Sequence, residues 1–188
     1  PGWRNSLLTR FREVGIVGRF RPEERPMSKS VSLLISILVR YPEVGSLRYD
    51  PRSQELRFTF LLTRILPERE YEALRRRVQE SLEAFSFLDG RPMRQCYVER
   101  TSLDELTMIE IRRDVDTLTQ EEIALVMELM LQEFPHQLVV DPGASLYEDE
   151  LAMQEELIEQ MLEDLRESRG DRRLVAFREE GRVMVFNQ

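Results

Sequence analysis

The chain has 188 residues, enough for one domain with a sizeable core, and its 41% apolar and 33% charged residues are typical of globular proteins. Its 27 basic and 35 acidic residues give a formal net charge of −8. This charge argues against a protein that coats nucleic acid, because phosphate binding needs a basic surface. A single cysteine, Cys96, and a single histidine, His136, exclude a disulfide framework and a multi-histidine metal site within the chain, and they argue against a Ser-His-Asp hydrolase.

The location of the protein is predicted from its longest apolar run, residues 31–39. This run is far shorter than the roughly 20 apolar residues that a membrane-spanning helix needs. No secretory signal pattern is visible, and an unpaired cysteine then favours the cytoplasm. Only Lys29 is a lysine among the 27 basic residues. The arginine bias suggests a GC-rich bacterial genome.

Residues 1–27 differ from the rest of the chain. Residues 1–26 contain six arginines and three glutamates, a local net charge of +3, and Leu7, Leu8, Phe11 and Val14 follow one another at helical spacing. We interpret 1–27 as a flexible basic segment, or as a translated leader in front of Met27. The alternative is that residues 4–21 contact a membrane surface or an acidic partner.

Residues 28–188 are predicted to form a single α+β domain. Ser28 or Ser30 caps a buried helix over 31–41. Strands 46–50 and 55–62 form a hairpin in which Pro51 presets the turn, with Leu56, Phe58, Phe60 and Leu62 on one face. Pro67 then opens a helix that ends at Asp89-Gly90.

The same order of elements recurs further along. Strands 94–100 and 106–115 are joined by residues 101–105, and Thr119 with Glu122 forms a capping box for a helix that ends at Pro135. An offset of 52 residues aligns the two helices. We therefore interpret 46–88 and 93–134 as candidate β-β-α repeats.

The remaining chain predicts a short strand at 137–140, a long acidic helix over 145–169 and a final hairpin over 172–187. Ser145 with Glu148 caps that helix, Gly170 stops it, and Gly181 turns the hairpin. Hairpins interleaved with helices predict an antiparallel sheet with the helices packed on one face.

Few residues are candidates for chemistry. Alternation places Cys96 on the inward face, which is typical of a buried structural thiol, and His136 follows a helix end. Glu110, Asp114 and Asp116 are candidates for a Mg²⁺ site or an acid–base pair. The intervening Arg112 favours the alternative, in which these residues form a ladder of surface ion pairs. No phosphate-binding loop or cofactor motif occurs, so no cofactor is predicted.

A sheet-face RNA contact through Arg57 and Tyr97 is a further alternative. RNA platforms combine several stacking aromatics with basic charge, whereas Glu99 and Glu110 lie on the same predicted face and would repel phosphate. Nucleic acid is therefore the less favoured partner.

The acidic helix is the most distinctive feature of the sequence. Residues 141–170, which include this helix, contain ten acids and two arginines. One apolar stripe runs along the helix. The stripe consists of Tyr147, Leu151, Ile158, Met161, Leu162 and Leu165. It fits either the helix's own domain or a second copy of the chain. We hypothesise a non-catalytic interaction or adaptor domain that self-associates through this stripe; the alternatives are a carboxylate-based Mg²⁺-dependent enzyme and an RNA-associated or ribosome-associated regulator.

Overall fold

A computed structural model describes residues 28–141, 148–170, 172–179 and 181–188. The predictions for residues 1–27, and for Ser145 and Tyr147, lie outside these ranges. The described chain contains four helices: α1 (Lys29–Arg40), α2 (Glu68–Asp89), α3 (Gln120–Glu133) and α4 (Glu148–Glu167). It also contains six strands: β1 (Ser46–Asp50), β2 (Glu55–Leu62), β3 (Cys96–Leu103), β4 (Leu106–Asp114), β5 (Leu174–Glu179) and β6 (Arg182–Asn187).

All six strands join one antiparallel sheet in the order β3-β4-β2-β1-β5-β6. The three hairpins predicted from sequence therefore lie side by side, with β4 against β2 and β1 against β5. The predicted α+β class, with hairpin strands in one antiparallel sheet, is confirmed.

The core lies between one face of this sheet and the four helices. Residues on this inward face alternate with outward ones, as a strand period of two requires. Leu47, Phe58, Phe60 and Ile111 are at most 2% exposed, and the apolar stripes of all four helices belong to the same cluster. The sheet is thus covered by helices on its inward side.

The first hairpin agrees with its predicted bounds, and Gln54 closes its turn with a φ of 54°. The second hairpin is tighter than predicted. Pairing continues to Leu103 and Leu106, so only Asp104 and Glu105 turn the chain, with Asp104 at a φ of 53°. Thr101 to Leu103 are strand residues, because their backbones continue the pairing of β3 with β4.

Three helices begin within two residues of their predicted starts, and α1 runs from Lys29 to Arg40 where 31–41 was predicted. Ser28 accepts a hydrogen bond from the Val31 amide at 3.3 Å, and Thr119 accepts one from the Glu122 amide at 3.2 Å. Pro67 precedes α2, which ends at Gly90 with a φ of 71°. In a capping box, the Glu122 carboxylate would accept a hydrogen bond from the backbone amide of Thr119. In the structure this carboxylate instead accepts hydrogen bonds from Arg113.

The two β-β-α units are similar in element order, yet one offset does not relate them throughout. The offset of 52 that aligns α2 with α3 would place the inward Phe58 on the outward Glu110. Successive strand residues face opposite sides of the sheet. Superposing the inward residues of β2 on those of β4 therefore requires an odd difference in residue number, whereas the helices superpose at the even difference of 52.

The C-terminal part of the chain is tied into the same core. The predicted strand at 137–140 is reduced to a bridge between Leu138 and Leu62. Gly170 is required by close packing, because a Cβ there would lie 2.8 Å from Cε1 of Tyr49. No described helix combines the length and hydropathy needed to cross a membrane.

Candidate functional site

The apolar stripe of α4 faces the core of its own chain. Ile158 and Leu162 are fully buried, Leu165 is 1% exposed, and Met161 packs against this core and accepts a contact from the Ser36 hydroxyl at 3.8 Å. Leu151 is half-buried. The part of the stripe from Ile158 to Leu165 is therefore packed within the chain, because α1 lies alongside α4.

Ion pairs hold α4 in that position. Arg40 of α1 donates to Glu155 from Nε at 3.0 Å and from a terminal nitrogen at 2.5 Å, and Lys29 lies 3.2 Å from Asp164. Glu159 accepts the Gln120 amide at 2.7 Å at the start of α3, where a carboxylate also meets the positive end of the helix dipole. Part of the acidic face therefore serves internal contacts.

The most exposed apolar side chains lie at the end of α2. Phe87 and Leu88 are each 83% exposed, just before the Gly90 cap. On α4, Met153 is 64% and Leu157 39% exposed, one helical turn apart. The sequence already carried this signal, since Phe87 and Leu88 fall outside the periodic stripe of α2.

One arginine connects these two regions. Arg91, just after α2, has its guanidinium nitrogens 3.7 Å from Asp89 and 3.9 Å from Glu159 of α4. Arg91 therefore bridges the end of α2 and Glu159, while α3 is the helix that contacts both α2 and α4.

The three candidate carboxylates are held apart by arginines. Glu110 accepts from Arg112 at 2.8 Å on the outward face of the sheet, and Asp116 accepts from Arg94 at 2.6 Å in the turn after β4. Asp114 is 5% exposed and is bonded elsewhere. Within the described ranges no group of three or more potential ligand residues is placed to bind a metal ion.

Asp114 belongs to a buried network centred on Arg113, which the sequence analysis missed. Arg113 donates to both oxygens of Glu122, at 2.5 and 2.9 Å, to the carboxylate of Asp114, and to the Gln95 carbonyl at 2.6 Å. Arg113 and Glu122 are each 1% exposed. The alternation that buries Ile109 and Ile111 also places residue 113 on the inward face, and this was the available signal.

The network shifts the pKa of both acids. Burial raises the pKa of Glu122, although Arg113 opposes the shift. Burial would also raise the pKa of Asp114, but hydrogen bonds from Thr117, Arg113 and the Gln95 amide lower it below its ordinary value. Because its donors and acceptors are bonded to one another, this cluster is suited to joining β4 to α3.

Cys96 and His136 lie in different environments. Cys96 pairs across the strands with Arg113, and burial raises the pKa of its thiol to about 11, since desolvation outweighs the nearby guanidinium. His136 is exposed in the turn after α3. A thiol with so high a pKa is protonated at neutral pH and is a poor nucleophile.

The outward face of the sheet carries a row of side chains in cross-strand register. The row runs through Tyr97, Arg112, Arg57, Arg48, Val175 and Phe186. Arg112 bonds Glu99 as well as Glu110, and Arg57 lies 3.3 Å from Glu55. These arginines are therefore engaged by acids on their own face, which weakens the case for a phosphate-binding surface.

A shallow groove lies at the end of the sheet where β1 turns into β2. It is lined by Pro51, Arg52, Arg172, Arg173, Asn187 and Gln188. Arg173 donates to Asp50 at 3.0 Å, and the same carboxylate accepts the Arg52 amide at 2.9 Å. The positive charge at this groove is therefore partly compensated by Asp50.

No protein-family model matches the chain, and neither the curated proteins nor the solved structures include a match. Function is accordingly argued from the residues alone.

Proposed function

We propose that this protein is a non-catalytic interaction domain that associates with a second copy of itself through helical surfaces. The observation that carries the proposal is the adjacent pair Phe87 and Leu88, each 83% exposed. Single exposed apolar residues are common, whereas neighbouring large ones typically mark a contact surface. The surface differs from the α4 stripe suggested by the sequence.

The energetics are consistent with such a contact. Full burial of a leucine or phenylalanine side chain contributes about 1.5–3 kcal/mol. A twofold dimer buries the pair from each copy, so the four side chains would contribute roughly 6–12 kcal/mol before the cost of association. A micromolar dimer needs about 8 kcal/mol net, so neighbouring side chains must add to the interface.

Met153 and Leu157 form a second exposed apolar pair, one turn apart on α4. They lie on a different side of α4 from Glu159, the residue near Arg91, so a dimer that buries them brings a second patch into the interface. Methionine adapts to irregular partners because its side chain is flexible and polarisable. Exposed acids on α4, including Glu156 and Glu163, would surround the apolar contact with charge.

The test is light scattering coupled to size exclusion, on the wild-type chain and on the double variant Phe87→Ser/Leu88→Ser. We expect the wild type to elute as a dimer at micromolar concentration. The double variant should elute as a monomer with an unchanged circular-dichroism spectrum, since neither side chain contributes to the core. Ile65→Ser is the matched control, because Ile65 is 44% exposed in the loop before α2.

The control variant should remain dimeric. A monomeric wild type at every concentration up to the limit of solubility would refute self-association. A double variant that remains dimeric would refute the assignment of Phe87 and Leu88 to the interface.

A further inference from the structure

An apolar cluster lies on the outward face of β5 and β6, away from the core. Val175 is 1% exposed, yet it does not belong to the cluster of buried residues between sheet and helices. Its cross-strand partner Phe186 stacks on Phe177, with ring centroids 5.4 Å apart and planes 13° from parallel. Met184 pairs with Phe177 on the same face. Four large apolar side chains thus share the side of the sheet opposite the helices.

Burial on this face extends beyond the apolar cluster. Ser46, which pairs with Phe177, is 3% exposed, and Thr59, which pairs with Ser46, is 7% exposed. Side chains of a sheet stand perpendicular to it, so strand neighbours flank a residue but leave its outer end open. The described helices pack on the inward side. None of the described helices covers this outward side, so chain outside the described ranges is a candidate to cover it.

Residues 1–27 are the longest such stretch and have the matching chemistry. Trp3, Leu7, Phe11 and Val14 recur at intervals of four, four and three, which is the spacing of one helical face. About 12 residues of helix extend roughly 18 Å, whereas three neighbouring strands span only about 10 Å from first to last. The segment is therefore long enough to cross β1, β5 and β6.

The attachment point of the segment lies at one end of these strands, on the inward side of the sheet, and residues 15–27 are available to reach from there to the outward face. Ser28 starts α1, where Ser30 is buried beside Tyr49 of β1 and Gly170. Tyr49 pairs with Leu174, the residue before Val175. The chain thus enters the described fold at the end of the two strands that carry the cluster.

We propose that residues 1–27 dock by their apolar stripe on the outward face of β1, β5 and β6, within the same chain. The segment covers Val175 and the stacked pair Phe177 and Phe186. This intramolecular contact is independent of the proposed dimer, which uses the helical side of the molecule. The basic segment is then an integral part of the fold.

Trp3 provides a direct readout, because it is the sole tryptophan of the chain. In the folded 188-residue chain we expect Trp3 emission at a shorter wavelength, and weaker quenching by acrylamide, than in the urea-unfolded chain. Phe186→Ser should shift the emission to longer wavelength and increase quenching. Tyr97→Ser is the matched control, since Tyr97 occupies the opposite end of the same cross-strand row, and it should leave Trp3 unchanged.

A substitution in residues 1–27 provides a second test in case Phe186→Ser prevents folding. Phe11→Ser should produce the same Trp3 shift while the circular-dichroism spectrum and melting temperature show a folded domain. The monomeric variant Phe87→Ser/Leu88→Ser should retain the wild-type Trp3 emission, and this separates the docking contact from the dimer.

Three results would overturn the proposal. The first is wild-type Trp3 emission and quenching equal to those of the unfolded chain. The second is emission that depends on protein concentration, since the occupant would then be a second copy. The third is an equal response of Trp3 to Phe186→Ser and to Tyr97→Ser.

Discussion

At the scale of single residues, several buried polar side chains bond specific partners in loops and neighbouring strands. Tyr49 accepts from Gln54 at 3.0 Å and from the Gly170 amide at 3.3 Å, and Thr107, fully buried, bonds the Leu66 amide and the Arg64 carbonyl at 2.8 Å each. Such bonds contribute modestly when formed and cost more when one partner is lost. They fix where loops join the sheet.

Cys96 gives the residue-scale prediction. Its thiol has a pKa of about 11 in the folded protein, against about 8.5 in an unfolded chain, so its thiolate fraction at pH 7.5 is lower by a factor of more than about 100. We expect a disulfide reagent such as Ellman's to modify the folded protein at least about tenfold more slowly than the urea-unfolded protein, because the greater nucleophilicity of a thiolate of higher pKa offsets only part of the loss in thiolate fraction. The folded rate should continue to rise between about pH 9 and 11, where the unfolded rate levels off.

Equal rates for the folded and unfolded protein at pH 7.5 would contradict this assignment. They would mean that the thiol has an ordinary pKa and is accessible, and Cys96 would become a candidate for chemistry again.

At the scale of elements, long side chains connect the layers. Arg178 of β5 donates to the Leu38 carbonyl in the last turn of α1, where the helix leaves its carbonyls without intrahelical partners. Arg166 of α4 donates to the Val115 and Leu118 carbonyls in the segment between β4 and α3. Guanidinium groups thus stabilise the ends of helices and strands that meet in space.

The pair of Arg113 and Glu122 is the connection whose loss we expect to cost most. Glu122→Gln removes one carboxylate from a buried guanidinium, and breaking such a pair costs about 3 kcal/mol or more of unfolding free energy. Glu99→Gln is the matched control, because Glu99 pairs with Arg112 at the surface, where ion pairs contribute less than about 1 kcal/mol. Urea unfolding of both variants measures the difference.

A loss no larger in Glu122→Gln than in Glu99→Gln would show that the network does not stabilise the fold. The triple variant Arg113→Met/Asp114→Asn/Glu122→Leu provides an internal check. It should recover much of the loss, since it removes all three charges of the buried network and leaves none of them unpaired.

Local sequence patterns predicted the bounds of strands better than they predicted which strands pair with each other. Alternation and Pro51 located β1 and β2 at their observed bounds, because these signals act within a few residues. The antiparallel pairing of β2 with β4 joins residues 45 to 59 positions apart, and that of β1 with β5 joins residues 125 to 131 positions apart; no local pattern specifies either. The sequence also left open whether the apolar stripe of α4 faces its own domain or a second copy of the chain. In the structure, α1 lies alongside α4 and the buried residues of the stripe belong to the core of the same chain.

At the scale of the whole molecule, the apolar surface is divided between two sides. The helical side exposes Phe87 and Leu88, whereas the outward sheet side carries the buried Val175 cluster. The first is proposed to bind a second copy and the second the chain's own first 27 residues. The two contacts therefore do not compete for the same surface.

Self-association has a thermodynamic consequence for the whole chain. When dimers dissociate as they unfold, the melting temperature rises with protein concentration by mass action. We expect the wild-type melting temperature to increase over a hundredfold concentration range, and that of Phe87→Ser/Leu88→Ser to stay constant. Differential scanning calorimetry measures both, and a constant wild-type value would argue against a dimer coupled to folding.

The position of β6 at the end of the strand order has a consequence for aggregation. Among the described strands, β3 and β6 are the two edges, and only one side of each is paired. β3 has Glu99, Arg100, Thr101 and Ser102 along its length, and charged or hydroxyl side chains discourage the templated addition of foreign strands. β6 contains the uninterrupted run from Val183 to Phe186, flanked by Arg182 as its single charge. Partial unfolding that frees this hairpin would release a segment suited to cross-β stacking, so β6 is where amyloid-like growth would begin.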